Sequence, residues 1–545
     1  MNPLNNAYCH SSYVLKRTVR RSNWRPCPSG ILKLSLLAAG AVALAVSAAH
    51  AQAPAAANPM AVVTVQTRTL GREIPRDFIG YSVEVSTGGQ GISASERVKS
   101  DSSPGGATEQ FVYGLGHPDA PNSGYFQFMK NLGPGILRLG GNSQDNVCWD
   151  PAHAPHPEGC DGVLTAPDFA LYSKAAAASG WKLIVGLNLK QNSAAWALSE
   201  VTRGVSREIP PDQILGLEIG NEPDLFSRTP YRPKTYSAAD SVKESVEYLH
   251  AFQSNPVAKA YAVMGPATCC DWRNPRDLGI FIDGVGPLTL KLATVHNYPL
   301  TTCGNTTVTI EQLLAPGLMD SYNRMVQPLV AEADAHDVPI AMAETNSASC
   351  GGMPGVSNAL ASAVWGLDYM FTTAQDGFTM MGFHSSYRVT GSFYNPVITY
   401  GQEDASHQWR YHNVAQPIYY GMYLFARHAS GNHLLASSIQ SSSNIRAYAV
   451  TRCATCKVKV FVINKDLRAA GPVRVQVEGR KGQASLLMLD APSLSSRAGD
   501  VHLGGSQFDS QGNLPLPKTS SLQADTQGDY TFTLPNASAA LLTVP

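Results

Sequence analysis

Two glutamates stand where apolar runs give way to polar residues, and that placement sets what they can do. Ile214–Ile219 leads into Gly220-Asn221-Glu222-Pro223-Asp224, and Ile340–Ala343 leads into Glu344-Thr345-Asn346-Ser347. A short run of Val, Ile, Leu and Met with polar residues at its end reads as a buried strand that delivers its last side chains to a sheet edge or barrel mouth. Pro223 biases Glu222 away from the right-handed helical region. Two carboxyls facing each other suit glycoside cleavage, in which one protonates the leaving oxygen and the other attacks the anomeric carbon. The donor must keep its proton near neutral pH and the nucleophile must be ionised. Glu222 is therefore assigned as acid/base and Glu344 as nucleophile, with Asn221 placed to hydrogen-bond the sugar hydroxyl next to the anomeric carbon. An isolated Asn-Glu-Pro is an ordinary surface turn. Its place after an apolar strand, matched by a second glutamate, argues against that reading.

The elements that must hold these residues follow a repeated pattern. Apolar runs occur at Phe78–Val85, Ile136–Leu139, Leu183–Leu189, Ile214–Ile219, Ala262–Pro266, Leu292–Val295, Ile340–Ala343 and Phe378–Phe383. Helix-compatible stretches alternate with them, among them Ala166–Ser179, Ser241–Gln253 and Val356–Asp376, the first and last stopping at Gly180 and Gly377. Eight such units predict an α/β fold, a closed (β/α)8 TIM barrel over residues 68–430. Strands ~4.8 Å apart make a barrel roughly 15 Å across, which leaves about 6 Å between glutamates on its fourth and seventh strands. That gap is nearer to the spacing of retaining than of inverting glycosidases. Long connections at 86–123 and 224–240 leave strand ends on the same side and are expected to wall the site. Beyond residue 431 the pattern changes to short strands between Gly, Ser, Pro and Asn clusters: Ile445–Val450, Lys457–Ile463, Val473–Val477, Ala484–Leu489 and Tyr530–Leu534. This predicts an antiparallel β-sandwich over 431–545, joined by an N-terminal strand within 61–67.

Of 545 residues, 15% are charged, with 41 basic balanced by 41 acidic, and no long charged or low-complexity tract suggests disorder. Residues 1–51 hold six of the basic residues and no acid, and an uncharged run from Leu34 to Ala49 closes on Ala49-His50-Ala51. That is the layout of a signal peptide, followed by a spacer at 52–60, so the chain is expected to be secreted or periplasmic. The run is short and small-residue-rich for a membrane anchor, and no membrane association is expected after cleavage. Cleavage would leave 35 basic against 41 acidic residues, a poor surface for nucleic acid or a heavily sulfated polyanion. Eight cysteines would remain, an even number that suggests disulfides; Cys148 with Cys160 is the easiest local pair. Cys453-Ala-Thr-Cys456 reads as a loop staple, since two further zinc ligands are not evident nearby. No cofactor and no metal are expected.

Together the Asn221-Glu222 and Glu344 segments resemble the clan A retaining glycosidases. Within them the resemblance is to family 79, the heparanase and β-glucuronidase group. Leu137-Arg138-Leu139-Gly140-Gly141-Asn142-Ser143, Gly186-Leu187-Asn188-Leu189 and Val295-His296-Asn297-Tyr298 support it. The resemblance implies that Tyr298 orients the nucleophile, that Glu84 and Asp145 bind hydroxyls of the terminal sugar, and that Phe393-Tyr394-Asn395-Pro396 meets a C6 carboxylate. His384 is read either as a ligand contact or as a hydrogen-bonded structural residue. The chain departs from the family pattern after the nucleophile: Ala348-Ser349-Cys350-Gly351-Gly352 has no tyrosine. The implied substrate is thus a carbohydrate cut at a terminal glucuronic acid by double displacement. An internal, heparanase-like cut, a neutral terminal sugar and a non-catalytic sugar-binding barrel remain as alternatives.

Overall fold

The computed structural model describes residues 59–85, 110–111, 114–150, 160, 162–286, 289–385 and 392–545. The signal-peptide reading, almost all of the spacer, and most of the 86–123 connection lie outside the described residues.

All eight expected runs form one closed parallel barrel. In chain order its strands are Ile79–Glu84, Ile136–Gly140, Lys182–Leu187, Ile214–Ile219, Val263–Thr268, Leu290–Asn297, Ile340–Thr345 and Met381–Ser385. Because side chains alternate along a strand, Ile136 and Arg138 share a face. Ile136 joins Ile184, Met264, Leu292, Ala341 and Met380 in a small apolar cluster of its own. One step toward the strand ends the lining turns polar, with Ser82, Arg138, Glu218, Thr294 and His296 all fully buried. The barrel is thus plugged with hydrocarbon near its strand starts and filled with paired polar groups below its mouth.

The covering helices are set by local chemistry. Ala166–Ser179 opens on a Thr165/Asp168 capping box and ends at left-handed Gly180, as its sequence predicts. Ala238–Gln253 opens earlier than expected, because Ser237 and Asp240 make a second capping box. Leu360–Asp376 opens later than expected. Residues 353–357 turn back on themselves instead, Met353 N–H donating to Ser357 Oγ at 2.9 Å.

The C-terminal strands pack as two sheets. One follows the order His433–Leu435, Ile445–Thr451, Val458–Asn464, Ser538–Val544, Gln483–Asp490 and His502–Leu503, with Ser520–Gln523 pairing Gln483–Asp490. In the other, Ala61–Val65 lies between Ser437–Ser441 (antiparallel) and Gly471–Val477 (parallel), with Tyr530–Leu534 outermost. The strand near the start of the described chain therefore belongs to the C-terminal sandwich. A hairpin of Val397–Glu403 and Trp409–Ala415 extends from the eighth barrel strand. Among the described residues no helix is long and apolar enough to cross a membrane.

Candidate active site

The expected glutamates meet. A carboxylate oxygen of Glu222, one of Glu344 and a ring nitrogen of His296 all lie within 4.8 Å of one another at the barrel mouth. Glu222 holds a left-handed backbone (φ 49°, ψ 51°) between the strand and the short helix Pro223–Arg228. Pro223 keeps it out of the right-handed region as expected, and the turn takes the left-handed alternative, a conformation that a non-glycine residue keeps only when its surroundings enforce it. One enforcing contact is the Glu222 N–H, which donates to the Ala267 carbonyl at 3.0 Å.

Glu344 is gripped from four sides. Tyr298 donates its hydroxyl to Oε1 at 2.9 Å, while Oε2 accepts from Arg138 at 2.9 Å and from Ser82 at 3.4 Å. His384 Nδ1 lies 3.5 Å from the same Oε2, and His384 Nε2 lies 3.5 Å from Glu84. Burial alone would raise the Glu344 pKa; the positive charge of His384 and Arg138 and the Tyr298 hydrogen bond reverse this and hold it well below the ordinary value. Glu222 moves the other way, to about 8, through burial and the neighbouring Glu344 charge, which Arg138 only partly offsets. His296 Nδ1 sits 3.0 Å from Glu222 Oε1. Burial, with help from Arg138, pushes His296 down to about 4, so a neutral imidazole faces the acid.

Arg138 organises the floor. Its Nε bonds Glu218 at 2.5 Å, one terminal nitrogen bonds Glu344 and Ser82, and the other bonds Asn221 Oδ1 at 2.9 Å. A guanidinium only donates, so this contact fixes the Asn221 amide and leaves its Nδ2 protons for a ligand. The sequence motifs contain Arg138, Glu218 and His296 but point to no role for them, and Ser82 and Thr294 stand outside every motif. A signal was present: an arginine inside Ile136–Gly140 and a glutamate inside Ile214–Ile219 are charges in strands that must be buried, and buried charges need partners.

The other expected residues divide. Glu84 accepts from Ser143 N–H at 2.7 Å and faces His384. Gly141 (φ 72°) makes this possible, since a Cβ there would lie 2.7 Å from the Glu84 carboxyl. Tyr394 is buried with its ring 5.9 Å from His384 and 6.2 Å from Tyr298. Its carbonyl and that of His384 both accept from the Asn346 amide. Tyr298, Glu84, Tyr394 and His384 thus surround Glu344. Asp145 is engaged with the backbone. Its carboxylate accepts backbone N–H groups of Leu189 (2.7 Å), Lys190 (3.2 Å) and Asn221 (2.8 Å), so it ties together the tips of three strands. Behind Glu344, Ala348–Ser349 pairs with Leu300–Thr301, and Cys350 is bonded to Cys303. Ser349 donates to Thr301 at 2.8 Å, so the segment without a tyrosine is a structural link between two loops.

Cys148–Cys160 and Cys453–Cys456 are both disulfides, as their spacing suggested. Glu222, His296 and Glu344 are of types that ligate cations, but Arg138 already supplies positive charge to Glu344. Asp224, Cys269 and Cys270 form a second such group; there the two sulfurs are bonded to each other, which removes the thiolates a metal would need.

No family profile matches the chain. It is 23% identical over 327 residues to a β-glucuronidase of Neurospora crassa, covering 52% of this chain and 56% of that one. It is likewise 23% identical to a heparanase of Gallus gallus, over 37% of this chain and 38% of that one. The match thus spans little more than half the length of the curated β-glucuronidases it resembles. Among solved structures, a 4-O-α-L-rhamnosyl-β-D-glucuronidase from Fusarium oxysporum superposes with a TM-score of 0.68 at 17% identity, over 88% of this chain and all of that one. The chain is family 79-like. A family 51 arabinofuranosidase from Xanthomonas axonopodis follows at a TM-score of 0.62, 15% identity and 89% coverage of this chain and 100% of that one, which shows the same barrel-and-sandwich fold. The family 79-like chain shares that fold with enzymes of different sugars, so specificity has to be argued from the mouth.

Proposed function

We propose that this chain is an exported retaining β-glycosidase that releases terminal glucuronic acid from a carbohydrate. The observation that carries the reading is the approach of the Glu222 and Glu344 carboxylates to within 4.8 Å, with opposite displacements of their pKa values. Retaining enzymes hold their carboxyls about 5–5.5 Å apart, and inverting ones leave room for a water.

In the first step the ionised Glu344 attacks the anomeric carbon while Glu222 passes its proton to the leaving oxygen. Tyr298 and Arg138 keep the attacking carboxylate aimed, and Asn221 Nδ2 donates to the hydroxyl beside the anomeric carbon. In the second step Glu222, now a carboxylate, takes a proton from water as that water displaces Glu344. His296 stays neutral and steadies the Glu222 side chain in both states. Glu84, bridged to Glu344 through His384, receives the remaining ring hydroxyls, and Tyr394 with the backbone at 393–396 receives the C6 carboxylate.

Two results test this. Product anomer followed by proton NMR should show retention, and first-formed inverted product would exclude the mechanism. Paired aryl-β-glucuronide and aryl-β-glucoside assays should favour the glucuronide. Preference for the glucoside would instead support the neutral-sugar reading, which the disulfide-bound, tyrosine-free 348–352 segment favours. Release of the chain cut after Ala51 into the periplasm or medium tests export.

A further inference from the structure

Asp224 lies two residues past the acid/base glutamate, buried, and the mechanism above makes no use of it. Its carboxylate gathers the tip of the fifth barrel strand: Oδ2 accepts the N–H of Cys270 at 2.7 Å and of Asp271 at 2.8 Å, and Oδ1 that of Cys269 at 3.3 Å. The same tip reaches back through Ala267, whose carbonyl accepts the Glu222 N–H. Ala267 is itself left-handed (φ 56°), and its N–H donates to Thr294, which bonds Glu218. Arg228, at the far end of the acid/base turn, pairs with Asp271. Residues 267–271 are therefore the backrest of Glu222, joined to it on both sides. Inside that backrest Cys269 and Cys270, neighbours in sequence, are bonded to each other. A ring closed between adjacent residues removes backbone freedom from both, and Cys270 is exposed where a reductant can reach it.

We propose that Asp224 and the Cys269–Cys270 disulfide form a redox-addressable clamp that positions Glu222 for proton donation. Opening it takes two electrons and two protons from a dithiol, which becomes a disulfide as Cys269 and Cys270 become thiols. The slackened backrest then misplaces the acid while leaving Glu344, held by other strands, in place. The clamp rests on the acid/base role given to Glu222 above.

The test compares the full chain with Cys269→Ser/Cys270→Ser and Asp224→Asn variants on two β-glucuronides, one with a poor alkyl leaving group and one with an activated dinitrophenyl group. Loss of proton donation penalises only the poor leaving group, and small misplacements of catalytic groups cost up to about 100-fold. We expect kcat/KM to fall about tenfold or more on the alkyl substrate and less than about threefold on the activated one. Equal losses on both substrates, or no loss in either variant, would overturn the clamp. Dithiothreitol should reproduce the selective loss in the wild type and add nothing selective in the double-serine variant, which controls for the other three disulfides. An equal response of both proteins would refute the redox half of the proposal. Were the wild type inactive on every glycoside, the functional reading would fail; the clamp would then be judged by carboxyl carbon-13 NMR. The Glu222 titration midpoint should move in both variants, and an unmoved midpoint refutes positioning.

Discussion

Two buried charge networks invite comparison, one in the barrel mouth and one where the helix Leu360–Asp376 meets the C-terminal sheet. At the seam a single carboxylate, Asp368, accepts from the Tyr448 hydroxyl and the Lys465 ammonium, with Arg446 3.5 Å away. Tyr448 also stacks on Phe371, ring centroids 4.6 Å apart. Cations outnumber the acid there, and every group faces a partner. In the mouth the ratio is reversed: among the described residues Arg138 is the one permanent cation, joined by His384, beside Glu218, Glu344, Glu222 and Glu84. Such a set reaches low energy only if one acid keeps its proton, and the acid most remote from compensation is Glu222. A buried network with donors to spare holds two layers together, whereas a network short of positive charge stores a proton.

The largest expected effect comes from emptying the nucleophile position. Glu344→Gln should lower kcat by about 10⁴-fold or more while circular dichroism stays native; turnover near the wild-type rate would remove Glu344 from its role. Glu222→Ala should cost about 10²–10⁴-fold on poor leaving groups and much less on activated aryl glycosides, with azide restoring rate by displacing Glu344 in place of water, an attack that needs no base and leaves a glycosyl azide. The same contrast shapes the pH profile. Because Glu222 must be protonated, kcat/KM should fall as pH rises through about 8, and because Glu344 ionises far below neutral, the acid limb should lie well under pH 4.5. An alkaline limb that survives in Glu222→Ala would assign it to another group.

How much of this was legible in the sequence follows from the same physics. The barrel strands are short and apolar over most of their length, so their positions showed to within about three residues. The meeting of Glu222 and Glu344 was foreshadowed because strand ends advertise polar residues. The terminal strand Ser538–Val544 was missed, although it lies mid-sheet between Val458–Asn464 and Gln483–Asp490. Its Ser-Ala-Ala-Leu-Leu sequence lacks the β-branched density of its neighbours, and position in the sheet overrode propensity. The backbone role of Asp145 was not visible in the sequence, because an acid near a sugar site and an acid tying three strand tips together look alike until the backbone is seen. Ser82, Thr294 and His296 carry no spacing signal at all; only closure of the barrel brings first, second, fourth and sixth strands to one point.

The seam should respond in the opposite way to the mouth. Asp368→Asn leaves Lys465 buried without its counter-charge, and breaking a buried pair costs about 3–5 kcal/mol. Thermal stability should therefore drop markedly while kcat/KM of the surviving folded enzyme stays within about twofold, since no seam residue touches the catalytic set. A large loss of kcat/KM with unchanged stability would mean the two networks are coupled through the helix.

Glu200 gives the smallest and cleanest test, because it is the limiting case of the comparison: a buried acid that finds no hydrogen-bond partner among the described residues. Burial alone lifts its pKa to about 8. Between the ordinary carboxylate value and that pH the folded chain holds a proton that the unfolded chain has lost, so stability falls as pH rises, with a limiting slope of about 1.4 kcal/mol per pH unit. Glu200→Gln removes this titration. At pH 7 the variant should melt about 2 °C or more above the wild type, and at pH 4, where both states of the wild type are largely protonated, the gain should vanish. A gain of equal size at both pH values would trace it to packing, and a loss at pH 7 would show that Glu200 carries a stabilising charge after all.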